Sequence, residues 1–176
     1  MRLIGLSGPA GVGKSTVASI LRDRHGFLEV AFAQPVYEAV SAALGVPVSA
    51  LKDRALKEEP VPWLGKSPRH LLRTLGTEWG RGIVRQDLWI RVMERTLDGL
   101  DAGKVVVSDV RFEDEAAFVR ERGGQVWHLR REGVRWSGEH GSEAGIAVLP
   151  EDRVVACLSA DWRSTVERAS RGGKAN

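Results

Sequence analysis

Residues 3–16 read LIGLSGPAGVGKST, and the fold turns on this stretch. The apolar run at 3–6 has the length and continuity of a strand buried on both faces. Residues 14–24 then place Val17, Ala18, Ile20 and Leu21 on one side of a helix that stops at Gly26. Between strand and helix, Gly8, Gly13, Lys14 and Ser15 satisfy G-x-x-x-x-G-K-[ST], a pattern that gains its meaning from this setting of strand before and helix after. Glycine reaches backbone conformations closed to other residues, so successive N–H groups can turn inward and form an anion cradle with the helix N-terminus. The expected occupant is a nucleoside triphosphate, with Lys14 reaching its β- and γ-phosphates and the Ser15 hydroxyl ligating Mg²⁺. Gly8, Gly11, Val12, Gly13, Lys14, Ser15 and Thr16 are therefore the candidate cofactor-binding residues, Thr16 being expected to pack the helix rather than to ligate.

A chain of 176 residues fits one compact domain, or one domain with a small inserted lid. Its 43% apolar and 28% charged content is that of a soluble globular protein, and no run approaches the roughly 20 apolar residues a membrane span needs. Met1-Arg2 leads straight into the first strand with no small-residue cleavage site, so no signal peptide and a cytoplasmic location are expected. The single Cys157, inside VVACL, reads as a buried structural thiol. Six of the 26 basic residues are lysine and the rest arginine. That balance suits bidentate phosphate recognition, and equally suits a compositional bias, to which the solitary Asn176 also points. The sequence pI is about 9.3, but the basic residues are spread along the chain rather than gathered in a stripe, so nucleic-acid binding gains little support. Four His and one Cys without ligand spacing argue against a zinc site.

Four further strand-like runs occur at 27–32, 104–108, 125–129 and 154–158, and further helical patterns at 35–44, 68–80, 87–100 and 113–122. Their alternation predicts an α/β P-loop fold: a five-stranded, mainly parallel sheet flanked by helices. Residues 1–176 form a single domain in this reading, with a helical substrate-binding insertion at about 35–100 and a short lid at about 130–145. Residues 60–68 and 130–143 are the expected irregular segments. No N-K-x-D element can exist, since the only asparagine is the last residue, which disfavours a guanine-reading switch.

Taken together, LIGLSGPAGVGKSTVA (3–18), FAQP (32–35), LLRTLGTEWGR (71–81), VVVSDVRFEDEA (105–116) and HGSE (140–143) resemble the blocks of phage deoxynucleoside monophosphate kinases, relatives of adenylate kinase and dephospho-coenzyme A kinase. The resemblance covers about residues 2–145. It implies transfer of the ATP γ-phosphoryl group to a deoxynucleoside 5′-monophosphate, with ATP and Mg²⁺ as cofactors and, for a phage-encoded chain, a place in the host cytoplasm. Phe32 ends the second strand, where open α/β sheets bind ligands, and Pro35 opens the next helix; two residues on, the family usually carries a basic residue and this chain has Tyr37. The resemblance places Arg69 and Arg81 near the acceptor, with Trp79 to stack on or pack near its base. Asp109 directly follows a buried strand, where a carboxylate can orient Mg²⁺-bound water or the acceptor, and Arg111 can address a phosphate. The alternative is an N-cap aspartate paired with its neighbour. Glu113 and Glu115 read as first-turn helix residues favoured by the dipole.

In adenylate-kinase relatives a lid closes over the phosphates after the fourth strand, which makes Arg130, Arg131 and Arg135 candidates here. His140, Ser142 and Glu143 reproduce the family's H-x-S-E block and by resemblance anchor the lid or contact the acceptor. After the fifth strand the family tends to have Asn and Gly near the adenine, whereas this chain has Ser159, Ala160 and Asp161. The resulting assignment makes Lys14, Asp109, Arg111, Arg130 and Arg131 catalytic, and Ser15 and Asp109 metal-binding. Phe32, Arg69, Trp79, Arg81, Arg111, His140 and Glu143 are substrate-binding. The partner expected is the monophosphate substrate, with no nucleic acid and no membrane; a homodimer is left open. Two other readings stand beside this one: a dephospho-coenzyme A kinase-like enzyme, and a nucleotide-binding regulatory module without catalysis.

Overall fold

Residues 1–53, 55–135, 145–157 and 161–171 are described by a computed structural model. They fall into two compact units, residues 1–31 with 99–176, and residues 32–98.

The first unit is built on strands β1 (Arg2–Ser7), β2 (Leu28–Val30), β3 (Lys104–Val107), β4 (Gln125–Arg131) and β5 (Arg153–Cys157). They form one sheet in the order β2-β3-β1-β4-β5, and every adjacent pair is parallel. The apolar, weakly alternating composition has its reason in this arrangement, because the central strands are covered on both faces. Ile4 and Leu6 point into a cluster with Val106, Trp127, Leu129 and Val155, closed by Val17 and Leu21 of α1 (Lys14–His25) and by Trp162 and Val166 of α7 (Trp162–Arg171). On the opposite face, Gly5 leaves room for Val110 and for Val119 of α6 (Glu113–Glu121): a Cβ at Gly5 would stand 2.9 Å from Val110 Cγ2. The expected stop of α1 is realised by Gly26 at φ 69°, whose N–H returns to the Leu21 carbonyl. The second strand is shorter than the expected 27–32. As an edge strand it pairs with β3 alone, and the pairing ends at Val30.

The second unit holds α2 (Gln34–Leu44), α3 (Val48–Lys52), α4 (Pro68–Arg73), a π-helix (Thr74–Val84) and α5 (Leu88–Asp98). Val36, Val40, Leu51 and Leu72 form its core. Ser67 caps α4 by accepting the His70 N–H at 3.3 Å, and Pro68 follows in the first turn. The single α-helix expected over 68–80 is corrected here, since the chain switches at Thr74 to i→i+5 bonding and continues to Val84. Neither α3 nor α7 was foreseen. Residues 60–67 are irregular, as expected, apart from an isolated antiparallel bridge between Val61 and Lys66, while residue 68, expected in the same segment, already opens α4. Among the described residues no helix is long and apolar enough to cross a membrane.

Candidate active site

Parallel strands deliver the segments that follow them to one edge of the sheet. Ser7 of β1 stands opposite His128 of β4, and Gly5 opposite Val107 of β3. The loop at 8–16, Asp109 beyond β3, and Arg130 and Arg131 at the end of β4 therefore leave the same carboxyl edge. β1 lies between β3 and β4, with its own connection running to β2 on one side and β3 connecting to β4 across it; such reversal points are where open α/β sheets hold ligands.

The loop is built by two glycines in tight quarters. A Cβ at Gly8, φ 146°, would stand 2.9 Å from the Leu129 carbonyl oxygen, so the loop lies directly on the end of β4. Gly13, φ 114°, forms the N-cap of α1 and abuts the Trp162 indole, whose Cε2 a Cβ would meet at 2.9 Å. Lys14 Nζ spans the loop, donating to the Gly8 carbonyl at 2.5 Å and the Pro9 carbonyl at 2.9 Å. Ser15 is exposed at the head of α1. Gly11 is also exposed. Two members of the cofactor set differ in burial. The Val12 side chain is fully buried in the core, so only its backbone faces the loop, and its N–H donates to the Pro9 carbonyl at 3.3 Å. Thr16 is exposed and does not pack the helix interior.

Asp109 is half-buried between β3 and α6, and the segment around it is pinned by Ser108 N–H to the Val30 carbonyl (3.0 Å) and Val110 N–H to the Leu6 carbonyl (3.1 Å). The N-cap alternative for Asp109 fails, because α6 is capped at Phe112. Its entry is held by Glu115, which is 4% exposed and accepts the N–H groups of Arg111 (2.8 Å) and Phe112 (3.2 Å). The Arg111 side chain extends into solvent. Arg130, Arg131 and Arg135 are exposed, with no acidic partner among the described residues. His140, Ser142, Glu143, Ser159 and Ala160 lie outside the described residues, as does the Cys157 side chain.

In the second unit Arg69 is about half exposed and pairs with Glu58. An exposed pair of this kind holds its arginine weakly, by about 0–1 kcal/mol, and can release it to a phosphate. Trp79 is 44% exposed, which removes it from the core and leaves its ring open for stacking, while Arg81 is half-buried with Nη1 shielded from solvent. Phe32 is buried, 4% exposed. Tyr37 has two ammonium groups over its ring, Lys57 at 4.9 Å and Lys52 at 5.8 Å, and Lys57 donates to its hydroxyl.

The family model for deoxynucleotide monophosphate kinase matches residues 48–159. A protein of Acanthamoeba polyphaga mimivirus that carries the name deoxynucleotide monophosphate kinase is 34% identical over 177 residues, across 88% of this chain and 87% of the viral one. The chain belongs to the deoxynucleotide monophosphate kinase family. The deoxynucleoside-5′-monophosphate kinase of Escherichia phage T5 is 27% identical, over 68% of this chain and 72% of its own. The crystal structure of TT1252 from Thermus thermophilus superposes with a TM-score of 0.52 at 20% identity, over 97% of this chain and 94% of that one, a likeness of fold. Family membership makes the chain a phosphotransferase of kinase type.

The donor set suits Mg²⁺, which keeps several waters and takes one or two protein ligands beside substrate phosphates. Ser15 and Asp109 could supply such ligands, and no cluster of three His, Cys, Asp or Glu side chains forms among the described residues. One neighbour of the loop escaped the sequence reading. Trp162 is delivered by α7, and the available signal was Asp161 followed by Ser164, a helix-capping arrangement ahead of an amphipathic run.

Proposed function

We propose that this kinase transfers the γ-phosphoryl group of ATP to the phosphate of a deoxynucleoside 5′-monophosphate, giving ADP and the deoxynucleoside diphosphate. The observation that carries the reading is the glycine loop with Lys14 spanning it, set at the same sheet edge as Asp109, Arg130 and Arg131.

An acceptor phosphate oxygen attacks the γ-phosphorus, the bond to the ADP oxygen breaks, and its electron pair stays on ADP. No protein nucleophile is needed, so the protein's work is positioning and charge stabilisation. Lys14 exchanges its two carbonyl partners for β- and γ-phosphate oxygens, while backbone N–H groups of 11–16 and the α1 N-terminus receive the rest of the triphosphate. Ser15 and Asp109 would hold Mg²⁺, which would supply neutralisation of the charge that develops on the phosphates. Arg130 and Arg131, with Arg135, address the transferring group. An arginine that reaches that group contributes about 10³–10⁵ in rate in well-studied cases. By the family resemblance, Arg111 in the first unit and, in the second, Arg69 and Arg81 are the arginines offered to an acceptor phosphate, with Trp79 offered to its base; Phe32 is buried. His140 and Glu143 complete the acceptor set in this reading.

A coupled assay over the four deoxynucleoside monophosphates, their ribose counterparts and dephospho-coenzyme A tests the proposal. Turnover with at least one deoxynucleotide and none with dephospho-coenzyme A is expected. Turnover confined to dephospho-coenzyme A, or tight ATP binding without any transfer, overturns it. Lys14→Ala should lower kcat by at least about 10²-fold, the scale of removing one preorganised charge stabiliser, with the far-ultraviolet circular dichroism unchanged.

A further inference from the structure

The first turn of α7 is fixed by Asp161. Its carboxylate accepts the Arg163 N–H at 3.0 Å, the Ser164 N–H at 3.4 Å and the Ser164 hydroxyl at 2.5 Å. These bonds, the Ser164 hydroxyl foremost, hold the carboxyl below its ordinary range, so the cap is charged at neutral pH. Capping here sets the next residue, Trp162, whose ring is 4% exposed and joins Val12 and Val17 in the core beneath the loop.

The indole edge lies where a side chain on Gly13 would begin. Gly13 is left-handed at φ 114° and is followed directly by Lys14, so the residue that aims Lys14 rests on an element from the far end of the chain. The buried Trp162 Nε1 has no hydrogen-bond partner among the described residues, and the fully buried Ser7 hydroxyl, adjoining the loop on its other side, has none either. A buried donor without an acceptor is costly and uncommon. Two of them flank one nine-residue loop, whose own lysine must change partners to reach a phosphate.

We propose that Trp162 is a positioning residue of the phosphate loop: its indole edge sets Gly13 and thereby Lys14, and its N–H gains an acceptor when the loop holds a polyphosphate. This rests on the reading of residues 8–16 as a triphosphate loop. It assigns a role in nucleotide affinity to the C-terminal helix through loop geometry.

The test is a titration of the ¹⁵N-labelled full chain with Mg²⁺ and a non-hydrolysable ATP analogue. The Trp162 indole signal is identified by its contact with the Gly13 α-protons, so no variant is needed to find it. The expected result is a downfield shift of that N–H and slower exchange with solvent. Trp162→Phe, which keeps a packed ring and removes the donor, should raise KM for ATP about three- to tenfold, the scale of one hydrogen bond, with kcat within about twofold and the acceptor KM unchanged. An indole signal that stays in place while the backbone amides of 11–15 shift overturns the proposal and leaves the loop reading intact; an unchanged KM in a folded Trp162→Phe variant does the same. Should the loop amides also ignore the analogue, the loop reading fails and this proposal with it. Where Trp162→Phe does not fold, the wild-type titration decides.

Discussion

Asp152 has a fully buried carboxylate that meets Arg120 Nη2 at 2.6 Å, Arg120 Nε at 3.0 Å, His128 Nε2 at 2.8 Å and the Leu149 N–H at 2.9 Å. Burial pulls its pKa up, but the hydrogen bonds from Arg120, Leu149 and His128 outweigh that and hold it below the ordinary range. The network ties α6 and β4 to the segment entering β5, beside Glu113, which accepts the Ala147 N–H. Removing one partner strands a buried guanidinium, so Asp152→Ala should cost about 3–5 kcal/mol. For a chain of this size that lowers Tm by roughly 10 °C. Because the folded pKa lies below the unfolded one, this stabilisation is complete above the ordinary aspartate range and is lost as pH falls toward the folded value. Thermal melts should therefore show a Tm gap between wild type and Asp152→Asn that is wide near neutrality and narrows in acid; a gap independent of pH would count against the ionised pair.

At the scale of elements, the π-helix is the least expected part of the molecule. Residues 74–84, TLGTEWGRGIV, carry three glycines, and the helical spacing of the preceding residues gives no warning of the change. The cause is a tertiary contact. Trp89 of α5 donates to the Gly76 carbonyl at 2.6 Å, and its ring fills the space beside Gly80, where a Cβ would stand 2.7 Å from Cζ2. The wider closure is visible in the Arg85 N–H bonding the Gly80 carbonyl at 3.0 Å and in Arg73 pairing with Glu78, five residues on, at 3.6 Å. Such helices concentrate at functional sites, and this one carries Trp79 and Arg81. Gly80→Ala must push against a packed ring and should destabilise by about 1–3 kcal/mol. Hydrogen exchange should accelerate across 74–84 while β1 keeps its protection; equal acceleration in both would mean that the contact is not local.

On the scale of the whole chain, protection should follow burial in the sheet. Leu3, Ile4, Leu6, Val105, Val106, Val107, Val126 and Trp127 are all at or below 2% exposure, so native-state exchange should be slowest in β1, β3 and β4. The segment around Leu56, Trp63 and Leu64, which are 56%, 71% and 38% exposed, should exchange first and be nicked first by protease. Cleavage within β4 ahead of 55–66 would contradict that ordering. The same apolar runs that predict slow exchange made the strands readable in the sequence, because a strand covered on both faces has no polar side to dilute its signal. The phosphate loop was readable for a related reason: its requirements are local, a strand, a tight glycine turn and a helix N-terminus within some twenty residues.

The sequence by itself determined the parallel α/β sheet, the position of the loop at its edge, the insertion between the second and third strands and the kinase family. Each is written in short-range pattern, where burial and backbone freedom select residue types position by position. Only the tertiary structure decided the strand order, the π-helix held by Trp89, the burial of Val12, the Asp152 network and the seat of Trp162 under Gly13. These depend largely on partners far apart in the chain, Gly13 and Trp162 being 149 residues apart, and no local spacing records which distant side chain will occupy the space a glycine leaves.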